Sequence, residues 1–275
     1  MTLRHDQSDH RRKLNEIRNI MNSMKTLAIM ETHKLTRFIK NQSSMATTIE
    51  NMASDFLHFN PQVLPEVEPV SNIVLLVGSE RGFCGDFNDQ IVKKLASIND
   101  VDSETTSTLI VVGSKLHPLL TDINNEAIYI EGASIVEEIF NVVDTVAKTL
   151  LTYQQPASLY ALYHNNSHSE LISERLLPPF KETNNEKVKH ANPPLLNLSA
   201  KDFFLDLIDH YLFNAIHRIL YVSLMIENQH RIQHLENATH HLDDKIEELK
   251  HKINALRQEE IIEEIEVILI NASSH

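Results

Sequence analysis

The chain has no tryptophan, one cysteine and five glycines in 275 residues. A lone Cys84 closes no internal disulfide, so no thiol framework holds this fold. The five glycines all lie between Gly78 and Gly132, which leaves both ends without the residue that most weakens a helix after proline. Proline is itself missing from Arg11–Phe59 and from Ser199–Ala272. No run of about 18 apolar residues occurs, which excludes a membrane-spanning helix. Met1-Thr2-Leu3-Arg4-His5-Asp6 lacks the apolar stretch of a signal peptide, so a cytosolic location is expected. Basic charge is in deficit: the formal net charge of −13 argues against nucleic acid as the main partner. Hydrophobic residues make up 42% of the chain, enough for the core of one or two domains.

What is present at the ends is helix-period apolar patterning. Leu235, Leu242, Leu249 and Leu256 recur every seven residues, and Thr239, Ile246 and Ile253 follow the first three at four-residue spacing. That a/d seam demands a facing helix along its length. The partner is expected at the other end of the chain, where Leu14, Ile17, Met21, Met24, Leu27, Leu35, Phe38, Met45, Ile49, Met52 and Phe56 keep spacings dominated by three and four. The methionines on that face suit either an adaptable contact or ordinary core filling. Residues 1–60 carry nine Lys/Arg against six Asp/Glu, and residues 236–266 carry four against ten. Opposite signs on two antiparallel helices help their register, although two solvated faces would look the same. The second helix opens at Ser199-Ala200-Lys201-Asp202, a capping box with Asp in place of Glu. Its ~70 residues span on the order of 100 Å at 1.5 Å per residue.

The middle changes character. Ile73–Val77, Leu109–Val112, Ala127–Ile130 and Leu159–Tyr163 read as short apolar strands, the first three ending at or near glycine. Helical stretches are expected at Phe87–Ile98, Lys115–Leu120, Ser134–Tyr153 and Ser167–Leu177. Alternating strand and helix, with strands apolar on both faces, predicts a parallel or mixed sheet covered on both sides. The organisation is therefore a small Rossmann-like α/β domain over 70–190, flanked by an N-terminal coiled-coil helix over 1–60 and a C-terminal one over 199–275. Polar, proline-bearing 181–197 reads as the return linker.

No constellation supports catalysis. Gly78 to Gly85 has the spacing G-x-x-x-G-x-x-G, which matches neither the Walker pattern nor G-x-G-x-x-G, so a tight turn at a strand end explains it better than a phosphate cradle. No histidine can be assigned beside Cys84 to make it a nucleophile. His230 and His234 share a helix face, but no Glu completes a His-Glu-x-x-His pattern, and these read as surface histidines. Glu259, Glu260, Glu263, Glu264 and Glu266 are too extended for a carboxylate pair and read as a solvated or docking face.

Several segments in order resemble those of the gamma subunits of F-type ATP synthases, over nearly the whole chain. Ser79-Glu80-Arg81-Gly82-Phe83-Cys84-Gly85-Asp86-Phe87-Asn88 is similar to Ser-Asp-Arg-Gly-Leu-Cys-Gly-Gly-Leu-Asn. Glu227–Arg231 and Glu236-Asn237-Ala238-Thr239 are similar to Ser-Glu-His-x-x-Arg-Met-x-Ala-Met-Asp-Asn-Ala-Thr. Asn254-Ala255-Leu256-Arg257-Gln258 resembles Asn-Arg-x-Arg-Gln, and Ile20–Ala28 resembles Ile-Thr-Lys-Ala-Met-x-Met-Val-Ala. The resemblance implies a rotor: an antiparallel pair of terminal helices inside a hexamer of alpha and beta subunits, with the α/β domain touching the epsilon subunit and the membrane c-ring. It implies no catalytic residue, cofactor, metal or direct nucleotide binding in this chain. Arg257 and Gln258 inherit a contact with a beta-subunit loop, and Met24 and Lys25 face the same region. Glu264 joins them as a beta contact. Ser79, Glu80, Arg81, Gly82, Cys84, Gly85 and Asn88 are the family-motif positions of the α/β domain. Leu235, Leu242, Ile246, Leu249, Ile253 and Leu256 form the seam. The implied place is the cytoplasmic face of a bacterial inner membrane.

The chain departs from the family where Asp86 replaces a glycine, Asn22 a lysine, and Ile262, Val267 and Asn271 the threonine, acid and glycine of the closing signature. These departures point to a divergent gamma, from an alternative ATPase operon that drives sodium or proton export. The rival from another class is a coiled-coil adaptor with an α/β recognition domain.

Overall fold

The computed structural model describes residues 2–64, 71–99, 107–121, 127–153, 157–165, 170–180 and 192–273. Helix α1 runs Thr2–Phe59, beginning ahead of the expected Arg11. It stops where Pro61 follows: the Asn60 backbone N–H and side-chain amide both donate to the Phe56 carbonyl, at 3.0 and 3.2 Å. Then come β1 (Ser71–Val77), α2 (Phe87–Asn99), β2 (Ser107–Val112), β3 (Ala127–Ile130), α3 (Ile139–Leu151), β4 (Ala157–Asn165), β5 (Glu170–Leu177) and α4 (Ala200–Ser273). The Ser199 hydroxyl accepts from the Asp202 N–H at 3.2 Å and donates to its carboxylate at 2.6 Å, so the capping box starts α4 as read. Most of the expected return linker, 181–191, lies outside the described residues.

The five strands lie in the order β3-β2-β1-β4-β5. All neighbours are parallel except β4 and β5, which are antiparallel, so the sheet is mixed. The pleat sends Ile73, Leu75, Val77, Ile110 and Val112 to one face, against Ile139, Val143 and Val146 of α3 and Ile216 and Ile219 of α4. It sends Leu76, Leu109 and Val111 to the other, against Phe87, Ile91 and Leu95 of α2. This two-sided cover is why these strands are apolar without alternation.

Three expectations fail here. Residues 170–177, read as helix, form strand β5. They complete a hairpin with β4, and the Glu174 carboxylate accepts from the Tyr163 hydroxyl at 2.6 Å and from Arg218 at 2.5 Å. Pairing along β4 outweighs the helical preference of Glu170-Leu171-Ile172-Ser173-Glu174-Arg175-Leu176-Leu177. Lys115–Leu120 is a turn with a 3₁₀ stretch at His117–Leu119, because Pro118 removes a donor from a segment too short to nucleate an α-helix. Ser134–Tyr153 begins instead as a 3₁₀ turn at Val136–Glu138 and is α-helical only from Ile139.

The contacts divide the chain into two compact units, Met30–His230 and Met1–Ile29 with Arg231–His275. In the first, the end of α1 packs on the start of α4 through Phe56, 4.8 Å from Phe203 and 6.3 Å from Phe204 between ring centres. In the second, Arg4 pairs with Glu260, Arg18 with Asp243 and Lys25 with Glu236. Partner numbers fall as those of α1 rise, which fixes an antiparallel pair. Leu235 is fully buried there, and Leu242, Ile246, Leu249, Ile253 and Leu256 are half-buried, as a narrow two-helix seam requires.

Tyr163, Glu174 and Arg218 tie β4, β5 and α4 together, and burial with the Glu174 hydrogen bond pushes the Tyr163 phenol up to about 12. Glu174→Ala leaves half-buried Arg218 without this carboxylate. It is expected to cost about 2 kcal/mol and lower Tm by about 4–8 °C in thermal unfolding followed by circular dichroism.

Candidate functional site

The loop after β1 is built by close approach of three strand ends. The Gly78 N–H donates to Val112 O at 2.8 Å and the Gly113 N–H to Ile130 O at 3.1 Å. A Cβ on Gly78 would sit 2.6 Å from the Leu116 Cβ, so only glycine lets these ends meet. Gly113 has φ +107 as well as a 2.6 Å approach to the Gly78 carbonyl oxygen, and no side chain fits there. Gly82, by contrast, has open space where a Cβ would stand. The loop turns through left-handed backbone at Phe83 (φ 66) and Gly85 (φ 62). Asn88, in the first turn of α2, closes it: its carbonyl accepts from the Ser79 N–H at 3.0 Å, and its amide donates to the Ser79 hydroxyl at 2.8 Å. Asp86 stands just before α2. Its carboxylate accepts from Gln90 at 2.7 Å, which holds its pKa below the usual value, and it suits the positive end of the helix.

Two carboxylates organise the loop. Glu80 accepts from the Ser114 N–H at 2.9 Å, the Ser114 hydroxyl at 2.7 Å and the Gly132 N–H at 2.7 Å, and so joins the ends of β2 and β3. Burial opposes its charge, but these hydrogen bonds outweigh burial and hold its pKa below the usual 4.5. Glu227 of α4, only 3% exposed, accepts from the consecutive N–H groups of Glu80 and Arg81, each at 3.4 Å. Consecutive N–H groups on one loop form a nest for an acceptor, and here the carboxyl group of Glu227 occupies it. Glu227 thus takes up the N–H groups that a phosphate cradle would offer, which favours the tight-turn reading of this loop. The Cys84 thiol donates to Arg81 O at 3.2 Å and Gly82 O at 3.4 Å, and lies 4.0 Å from Glu227. It is a buried donor inside the turn.

The motif residues Ser79, Glu80, Arg81, Cys84, Gly85 and Asn88 thus come together with Glu227 of the second motif. Sequence spacing could not show that meeting, because 146 positions separate Arg81 from Glu227. His234 is exposed, as read, but His230 differs from expectation. His230 is half-buried, with its ring 5.7 Å from Phe87 and 6.0 Å from the fully buried His164, whose Nε2 lies 2.9 Å from Phe87 O. The heptad pattern placed His230 on α4 but gave no sign that α2 and β4 would cover it.

The proposed partner contacts are placed apart. Met24 and Lys25 are half-buried on α1, with Lys25 3.8 Å from Glu236. Arg257 and Gln258 are exposed, about twenty residues further along α4 than Glu236, or roughly 30 Å at the helical rise. Glu264 is exposed beyond them. Every residue from 261 to 270 is exposed, including Ile261, Ile262, Ile265, Val267, Ile268, Leu269 and Ile270, at 45–65%.

Because the Glu80 pKa is lowered on folding, its contribution is full above the unfolded value and is lost as pH falls through the folded one. Glu80→Gln is expected to lower stability to urea at pH 7 by about 1–2 kcal/mol, for loss of a charged acceptor of three hydrogen bonds. The gap between variant and wild type should close toward about pH 3, below the ordinary glutamate range.

Comparison with known proteins agrees with the geometry. The family model for ATP synthase matches residues 6–274. The chain is 25% identical to the ATP synthase gamma chain of Clostridium beijerinckii over 96% of each chain. It is 24% identical to that of Fusobacterium nucleatum over 94% of each. In fold it is similar to a chain of the rotor of Euglena gracilis mitochondrial ATP synthase, with TM-score 0.66 at 14% identity over 94% of this chain and 99% of that one. A chain of the OSCP/F1/c-ring assembly of the same enzyme gives TM-score 0.64 at 15% identity over 99% of this chain and 94% of that one. With a matching model over almost its whole length, the chain belongs to the ATP synthase gamma family and is a central-stalk subunit.

Proposed function

We propose that this chain is the non-catalytic rotor of a bacterial ATP synthase or ATPase, coupling ion flow through a membrane c-ring to conformational change at the beta subunits. The observation that carries the reading is the end of α4: ten consecutive exposed residues, seven of them large and apolar, on a helix of 74 residues. Apolar surface of that extent calls for a covering chain. A ring of alternating alpha and beta subunits would surround it on all sides, as exposure all round the helix requires. Because α1 and α4 differ in sequence, each beta subunit would meet a different face. Turning the shaft would then favour different nucleotide affinities in turn. The α/β domain would contact the epsilon subunit and the c-ring, at the cytoplasmic face of the inner membrane. No helix among the described residues is long and apolar enough to cross that membrane. The family match leaves the adaptor alternative without support.

Arg257, Gln258 and Glu264 are the polar groups of this exposed stretch that would meet a beta-subunit loop. Ile262 and Val267 stand where the family signature has a threonine and an acid, which makes this contact more apolar than in ordinary gammas, while Asn271 replaces a glycine. Such a tip fits a divergent gamma of an alternative operon.

Co-expression with alpha and beta subunits from the same source tests the reading. A stable assembly with one copy of this chain per three alpha–beta pairs is expected, with ATP turnover that depends on the chain and no nucleotide bound by the chain alone. Failure to co-purify while the chain is folded alone would refute it. Within the assembly, Arg257→Ala is expected to lower turnover about tenfold without loss of the complex. That is the effect of one charge-assisted hydrogen bond worth ~1.5 kcal/mol in the rate-limiting state.

A further inference from the structure

The hydrogen bonds of the Ser79–Asn88 motif and of Glu227 run within the chain itself. Glu227 is among the few carboxylates buried in the described residues, and a buried carboxylate is costly unless it is held by hydrogen bonds. It is aimed at the N–H groups of Glu80 and Arg81. The next carboxylate, Glu80, passes the connection on to Ser114 at the end of β2 and to Gly132 at the end of β3. Ser79, in the same loop, accepts the Lys115 N–H through its carbonyl at 3.1 Å and is fixed to α2 through Asn88. A continuous set of hydrogen bonds therefore runs from one side chain of α4 to the carboxyl ends of three parallel strands and to the start of α2.

We propose that Glu227 is a positioning residue that locks α4 to the α/β domain against twist, so that torque on the helix reaches the domain without slack. The proposal rests on the rotor reading. The apolar packing of Ile216, Ile219 and Leu224 of α4 resists displacement through close fit, and the Glu227 bonds add a directional restraint at the strand ends. Directional bonds to backbone N–H groups resist rotation of the helix about its own axis. The loop is stiff enough to serve as the receiver, since both of its sides are pinned and its turn is closed by the buried Cys84 thiol. Glu80 has the companion role of holding that receiver on the sheet.

The test uses the assembled complex, with a bead attached through Lys94→Cys on α2, which is exposed, while native Cys84 is buried. With the alpha–beta ring fixed to a surface and turnover stopped by ADP, the angular variance of the bead reports torsional stiffness. Glu227→Gln keeps the shape but removes the charge. Charged acceptors bond roughly twice as strongly as neutral ones, so a rise in variance over wild type is expected, smaller than twofold because the rest of the shaft is unchanged. Glu80→Gln should act in the same direction. A variance equal to wild type in both variants would overturn the proposal. If Glu227→Gln does not enter the complex, Glu80→Gln decides by the same criterion. If neither enters it while the wild-type chain does, the contact serves folding and the proposal is overturned. A wild-type chain that itself fails to assemble would instead remove the rotor reading, and the proposal with it.

Discussion

A helix with a narrow apolar seam has nowhere to put it in water except against another helix, and the rest of this fold follows from that. Between Leu235 and Leu256, α4 offers the seam of Leu235, Leu242, Ile246, Leu249, Ile253 and Leu256 for burial, with charged residues between them. The first turns of α1 supply the facing surface within the same compact unit. A single chain can bring its two ends together antiparallel only if something between them turns it round, and the α/β domain does so. The ion pairs along the pair add little energy each, because they are solvent-exposed. Their consistent order sets the register, which the evenly spaced leucines leave open to a slip of one heptad.

The same economy explains the α/β domain. Its strands are covered on both faces, so their sequences carry no polar alternation, and specificity has to come from elsewhere. It comes from the strand ends, where two glycines permit close approach and two carboxylates occupy the N–H groups left over. In the loop after β1 the N–H groups of Glu80 and Arg81 are taken up from within by Glu227, which joins the turn to α4.

Much of this was legible in the sequence. Strands β1 to β4, both terminal helices, the cap at Ser199 and the seam all follow from periodicity, proline and glycine. What was not legible depended on tertiary context. Residues 170–177 have helix-forming composition and become a strand only because β4 offers an edge and Arg218 a partner for Glu174. His230 looked solvated on a helical wheel and is covered by Phe87 and His164. Glu227 could be matched to a family motif, but no local pattern shows that its carboxylate meets a loop 146 residues earlier. The motif residues Glu80 and Asn88 were named without a role, and the hydrogen bonds now supply one.

The central claim is that this chain turns inside a ring of catalytic subunits. The most direct measurement is to fix the alpha–beta ring on glass, attach a visible probe to exposed Lys94→Cys, and add ATP. The account predicts unidirectional stepwise rotation that stops when ATP is removed. ATP hydrolysis at the normal rate with a probe that only fluctuates about one angle would contradict it.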